Sequence, residues 1–505
     1  MEEHPGKSGK PPLWPLLLPV APAAWAVALR LHAYAQTPYA NGWDAYFYLV
    51  QLKALDQTGR MHSPDASLIY PFFRLLNLFF GDYVAAYQSG AALLAGLIVL
   101  VTGFACSSGN RGAFQLRDAG ARYPSASIWA LCWMTGSPHL TYFCAQYPKN
   151  ALGWVFFLAL YGVLQRETAN RRLQYARVAG LLTLCFFGHR VTFALGVLLV
   201  GGYWMFGNQW RIPMRSLWWT LLLLLLFTGA GVLLPGLLHV RDLERLSGAW
   251  SGNLHVAPWS FVLDFGSQRL TPCWRAEIAI SALAWLAFPL FWKKGSAAQK
   301  SLWLLGLVLL WPFLEWTSTG LAYRFFLLFV LLMPLYAGVW MPRLGNMVWI
   351  PAIFPVLAGP WTSMGYSPEK HDPDYRLYEK VSARTVQFFS ANGIRPDLVI
   401  AHNALAEFFT YTHGIDAMPW LPEYPIGPDQ LWRIALTDVR RVPDTLQAIP
   451  LVGRYVLLRE VDWHAWRRLR TAENDPLTPD WRNPDRVRPE FLLHKKKNLR
   501  SRFTR

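Results

Sequence analysis

A chain of 505 residues that is 53% hydrophobic and 16% charged falls well below the roughly 25% charged residues of soluble domains. It reads as a polytopic membrane protein with length for many spans and a soluble domain. The formal net charge of +17 comes with no basic helix or aromatic-basic strand motif, so nucleic acid is set aside as a partner. The lysines and arginines are assigned to cytoplasmic loops and anionic lipid headgroups.

In chain order, apolar runs predict about 11 transmembrane helices, near Leu13–Ala33, Val84–Ala105, Ser125–Tyr142, Ala151–Gln165, Val178–Phe187, Val191–Phe206, Leu217–His239, Ile278–Trp292, Ser301–Trp316, Phe325–Trp340 and Met347–Trp361. The fold class expected is therefore an α-helical polytopic membrane protein over residues 1–362 with a small C-terminal α/β extracytoplasmic domain over 367–505. The first run is interrupted by prolines and lacks a cleavage site, so it reads as a retained span. With the N-terminus inside, the loops carrying Arg111, Arg117 and Arg122, then Arg166, Arg171, Arg172 and Arg177, then Lys293, Lys294 and Lys300 all fall on the cytoplasmic side, as the positive-inside rule requires. Val178 to Phe206 would bury Gly188-His189-Arg190 mid-span if it were one helix, at a cost of ~2.5 kcal/mol or more for the arginine. A hairpin that lifts His189 and Arg190 into an outer cavity avoids that cost.

The polar C-terminal region reads as a helix over Tyr375–Asn392, a strand at Leu398–Ala401, a helix over Asn403–Thr412 with Asn403 as N-cap, and a strand at Tyr455–Arg459. Its tail, His494–Arg505, is a basic run suited to a membrane surface. The five cysteines show no short paired spacing, which argues against zinc or redox chemistry. Cys144 and Cys273 both fall on the outer side, where a disulfide and two separate thiols remain open.

The chemistry-bearing residues gather near the outer boundary. The first outer loop, residues 34–83, contains an apolar periodicity over Tyr46–Thr58 closed by Gly59, an interfacial helix preceded by Asp44. Asp44 either caps that helix or serves as a general base, or both. Lys149 either binds phosphate or extends its stem to the interface. His189 and Arg190 follow, and Arg190 either forks onto phosphate or pairs with an acid. Glu315, Tyr323 and Arg324 flank a short turn, with Glu315 and Arg324 either paired or turned to substrate. Tyr46 joins His189, Glu315 and Tyr323 as a candidate substrate contact, and Lys149, Arg190 and Arg324 are the candidate phosphate or donor contacts.

The run Asp44-Ala45-Tyr46-Phe47-Tyr48-Leu49, followed by Ala54-Leu55-Asp56-Gln57-Thr58-Gly59, Ser63-Pro64-Asp65 and Ile69-Tyr70-Pro71, resembles the first outer loop of the GT-C superfamily of polytopic glycosyltransferases. Tyr147-Pro148-Lys149-Asn150-Ala151-Leu152-Gly153 and His189-Arg190-Val191-Thr192 look like its bacterial members. The resemblance implies an enzyme of the bacterial inner membrane. It would take a sugar from a polyprenyl-phosphate-linked donor to an extracytoplasmic acceptor (glycan, lipid or protein), with Asp44 in the active site and membrane lipids around it. The oligosaccharyltransferase and aminoarabinose transferase branches also carry an extracytoplasmic C-terminal domain. The second outer loop, Cys144-Ala145-Gln146-Tyr147-Pro148, lacks the acidic pair of the metal-dependent members. No cofactor is therefore expected, since Mg²⁺ or Mn²⁺ prefers carboxylates. Met418-Pro419-Trp420 does not match the family's peptide-acceptor motif. The alternatives are a lipid-linked glycan flippase, a glycan polymerase or ligase of another fold, and a scaffold without catalysis.

Overall fold

The computed structural model describes residues 19–61, 65–108, 125–166, 170–207, 255–256, 272–310, 314–315, 319–337, 372–418, 430–436 and 446–463. Over these the helices are α1 (Val20–Tyr34), α2 (Ala45–Thr58), α3 (Ile69–Phe80), α4 (Tyr83–Ser108), α5 (Ser125–Gly136), α6 (Pro138–Gln146), α7 (Pro148–Leu164), α8 (Arg171–Gly188), α9 (Arg190–Phe206), α10 (Pro272–Ala287), α11 (Ala297–Leu310), α12 (Thr319–Leu331) and α13 (Met333–Ala337). A two-stranded pair, β1 (His255–Val256) with β2 (Leu314–Glu315), is antiparallel and sets His255 opposite Glu315. The helix α4 is the central strut, packed against α1, α3, α5, α6 and α7.

The expectation of about 11 transmembrane helices is overturned. Among the described residues one helix, Tyr83–Cys106 within α4, is long and apolar enough to cross a membrane, and shorter apolar helices such as Pro148–Leu164 and Arg190–Phe206 stand beside it. An apolar run is not a helix, because backbone breakers cut it. The run Ser125–Tyr142 divides between α5 and α6 at Ser137-Pro138. Proline has no N–H to continue the ladder, and the Ser137 side chain instead accepts from Leu140 N to start α6. The run Phe325–Trp340 divides at Leu332, two residues before Pro334. Val178–Phe206 divides at His189, whose extended backbone (φ −161°, ψ 133°) ends α8 and whose Nδ1 accepts from Val191 N to open α9. Gly196 lies against Leu182, seven residues from His189 on either side, so the chain reverses there. The expected spans Leu217–His239 and Met347–Trp361 and the basic tail lie outside the described residues.

The C-terminal part carries α14 (Tyr375–Ala391), β3 (Leu398–Ile400), α15 (Asn403–His413), β4 (Ala417–Met418), β5 (Leu431–Leu436), β6 (Ile449–Pro450) and β7 (Tyr455–Arg459). The sheet order is β4-β3-β5-β7-β6, with β3 parallel to both β4 and β5 and β7 antiparallel to β5 and β6. Asp374 caps α14 by accepting from Leu377 N, while the N-cap of α15 is His402, one residue before the expected Asn403, which is instead the first residue of the helix. Cys144 is a buried free thiol, so it forms no disulfide with Cys273.

One buried polar cluster joins the broken helix to its neighbours. Arg30, 0% exposed, donates to the carbonyls of Ala26, Met134, Thr135 and Ser137 at 2.9–3.3 Å. A cation at the end of α5 satisfies carbonyls that have no partner within the helix. Glu277 beside it accepts from Trp133 Nε1 at 3.1 Å and Ser137 Oγ at 2.5 Å and pairs with His139 Nδ1 at 2.5 Å.

Candidate functional site

Asp44 stands at the N-cap position of α2 (φ −99°, ψ 8°), yet its side chain makes no cap hydrogen bond. It is exposed, which leaves the carboxylate available for chemistry at the positive end of a helix. The backbone before it is held closely. Gly42 has φ +112°, and a Cβ there would meet the Ala145 carbonyl at 2.4 Å, so only glycine lets this loop lie against the end of α6. Trp43 N donates to Gln146 Oε1 at 2.9 Å.

The residue after Gln146, Tyr147, forms a platform for Arg324, whose Cζ lies 4.4 Å from the ring centroid. Such a stack contributes about 0.5–2 kcal/mol. It fixes the guanidinium plane while Arg324 Nε keeps no hydrogen-bond partner. The Asp44 charge acts directly on Arg324, so base candidate and cation share one neighbourhood. Tyr48 marks its centre. Burial pushes the Tyr48 phenol well above its ordinary range, and the carboxylates of Asp44, Asp65 and Glu407 push the same way while Arg324 opposes them.

Lys149 is bound to Asp65 at 2.6 Å. Asp65 also accepts from Ser67 N and, at 3.4 Å, from the Tyr70 hydroxyl. The rings of Tyr70 and Tyr48 are 5.9 Å apart, which connects this pair to the Asp44 neighbourhood. Leu68 N donates to the Phe187 carbonyl at 2.9 Å and Ser67 Oγ to the Gly188 carbonyl at 3.1 Å. Those two bonds seat the His189–Arg190 corner beside the Lys149–Asp65 pair. His189 spends Nδ1 on its own helix cap and its carbonyl on Thr192 Oγ1 at 2.6 Å. Arg190 is half-buried at the start of α9.

Asp44 and Arg324 thus share one neighbourhood, Lys149 is held by Asp65 beside Tyr70 and Tyr48, and the His189–Arg190 corner is seated by backbone bonds to residues 67 and 68. Tyr46 does not join them. It is 3% exposed and packs against Tyr375, Phe408 and Tyr411 at 4.8–5.3 Å, in the contact between α2 and the C-terminal helices. Glu315 lies in β2 and Tyr323 in α12, and their side chains lie outside the described residues. Sequence reading missed Asp65, Tyr147, Tyr48 and Gln146 as site residues, although all four sit inside quoted motifs. Among the described residues no group of three or more His, Cys, Asp and Glu side chains is placed to hold a metal ion. Comparison with protein-family models and with curated proteins found no match to this chain.

Proposed function

We propose that the chain is a glycosyltransferase of the GT-C kind, transferring a sugar from a polyprenyl-phosphate donor to an extracytoplasmic acceptor. The observation that carries this reading is an uncapped, exposed Asp44 whose charge reaches Arg324, itself stacked on Tyr147 with Nε open. Asp44 accepts the proton of the acceptor hydroxyl, which requires hydrogen-bond reach. The acceptor oxygen attacks the anomeric carbon and the bond to the lipid phosphate breaks. Charge grows on the departing phosphate, where Arg324, Arg190 and Lys149 oppose it, the electrostatic contribution that usually dominates such sites. Lys149 exchanges part of its bond with Asp65 for the phosphate. A lipid phosphate leaves without protonation, so no general acid is required.

Multi-pass placement in the bacterial inner membrane, with the C-terminal unit outside, belongs to the same reading. The apolar side chains left open on several helices support it: Trp25, Leu184, Leu198, Leu283, Leu286 and Leu290 are all exposed. The helix Tyr83–Cys106 is apolar and long enough to cross.

The decisive experiment is a transfer assay with purified protein and a panel of polyprenyl-phosphate sugars. Wild type should release free polyprenyl phosphate, and Asp44→Asn should cut turnover by about 10²–10⁴-fold. Wild-type-like turnover in that variant removes Asp44 from the base role. One observation favours a second reading, a lipid-linked glycan transporter: the α5–α6 break with buried Arg30, Glu277 and His139 resembles the interrupted helices of transporters. Intact lipid-linked sugar moving across a liposome membrane, with no polyprenyl phosphate released, would favour it.

A further inference from the structure

The segment that presents Asp44 is gripped from two directions, and one grip comes from the far end of the sequence. Asp372, 8% exposed, stands just before α14. Its Oδ1 accepts from Gln146 Nε2 at 2.8 Å and its Oδ2 from Asn41 Nδ2 at 3.1 Å. The other end of the same Gln146 amide takes Trp43 N–H at 2.9 Å. Three residues on, the Tyr375 hydroxyl donates to the Gly42 carbonyl at 2.5 Å. Asn41, Gly42 and Trp43, the three residues before Asp44, are therefore each held by one partner of this set. Gln146 also precedes Tyr147, the platform under Arg324.

We propose that Asp372, Gln146 and Tyr375 are positioning residues: a polar clamp through which the C-terminal unit sets the backbone that presents Asp44 and, through the adjoining Tyr147, the cation that faces it. The part played in catalysis rests on the transferase reading, while the clamp itself does not. The buried carboxylate accepts from one side-chain amide on each oxygen. Removing it takes an acceptor from two buried amides, a loss larger than the net worth of either bond. The clamp also explains why a soluble unit stays attached to a membrane enzyme whose reacting groups all lie in the N-terminal part.

The test is amide hydrogen exchange on the full chain in nanodiscs, read at the peptide that contains Trp43. Asp372→Ala and Gln146→Ala should each raise exchange there about tenfold, with exchange in β3, β5 and β7 unchanged. Asp372→Asn should restore protection. Asn41 Oδ1 has no partner now, so turning the Asn41 amide gives the new side-chain N–H an acceptor. Tyr375→Phe, a smaller change, should loosen the same peptide even if an alanine variant folds poorly. Unchanged exchange at Trp43 in all of these variants, or an equal rise across the sheet, overturns the clamp. In the transfer assay Asp372→Ala should lower kcat about tenfold, with any rise in donor KM smaller than that of Arg324→Ala. A raised KM with intact kcat overturns the positioning role. If wild type releases no polyprenyl phosphate, the transferase reading fails while the exchange result still decides the clamp.

Discussion

Single residues in the site are defined by what each neighbour prevents them from doing. Asp44 occupies a cap position and yet leaves its helix uncapped. Arg324 is stacked on Tyr147 and keeps Nε open. Lysine retains the charge but lacks the planar fork that stacks and binds phosphate oxygens in pairs. Donor KM in the transfer assay should therefore rise about tenfold or more in Arg324→Ala, and Arg324→Lys should not restore it. A lysine variant with wild-type KM would reduce Arg324 to a point charge. Of these residues Asp44, Arg324 and Lys149 stand out in the sequence as candidates, because an ionisable group at the edge of an apolar run is costly. Asp65 was not legible as the partner of Lys149, since 84 residues separate them and only the fold brings the loop after α2 to the start of α7. Tyr147 was hidden for a different reason. An aromatic at a membrane boundary is ordinary, and its role exists only once Arg324 lies on it.

At the scale of elements, the breaks matter more than the helices. The α8–α9 corner is pressed against α7 so closely that a Cβ on Gly188 would stand 2.7 Å from Gly153 Cα, and one on Gly153 would stand 2.2 Å from Thr192 Oγ1. Backbone cannot yield as a side-chain tip can. Gly188→Ala should therefore cost about 1–3 kcal/mol and displace the His189–Arg190 corner, read as a lower thermal midpoint together with a raised donor KM. An alanine variant with both values unchanged would show that the corner has room. The hairpin at His189 was legible, because an arginine inside hydrocarbon is expensive. The number of spans was not. Hydropathy counts apolar residues, whereas crossing depends on unbroken helix, and Pro138 and Pro334 end helices within apolar runs.

For the whole molecule, the contact between the C-terminal unit and α2 links sheet and site. The Tyr39 hydroxyl donates to Glu379 Oε2 at 2.6 Å, and Lys53 Nζ donates to the Tyr411 carbonyl at 2.8 Å above that ring. Burial, and for Tyr39 also the Glu379 carboxylate, pushes both phenols up to about 12 from the ordinary 10. A phenol with a raised pKa favours the fold while it is neutral. This contribution is complete below pH 10 and declines as pH climbs from 10 toward 12. The thermal midpoint of the C-terminal unit, followed by tryptophan fluorescence, should fall over that window, and fall less in the Tyr39→Phe, Tyr411→Phe double variant. Identical profiles would remove these two hydroxyls from the contact.

The sequence by itself determined which segments are apolar, where the helix after Asp44 ends, that the chain turns at His189, and that strands and helices alternate near Leu398. All of these are local consequences of side-chain type, hydropathy period and glycine or proline chemistry. Only the tertiary structure decided which apolar runs stay whole, that Tyr46 belongs to an interface, that Lys149 is bound by Asp65, and that Asp372 reaches back across 226 positions to Gln146. Those outcomes depend on contacts between residues far apart in the chain, whose geometry is set by packing and leaves no trace in local pattern.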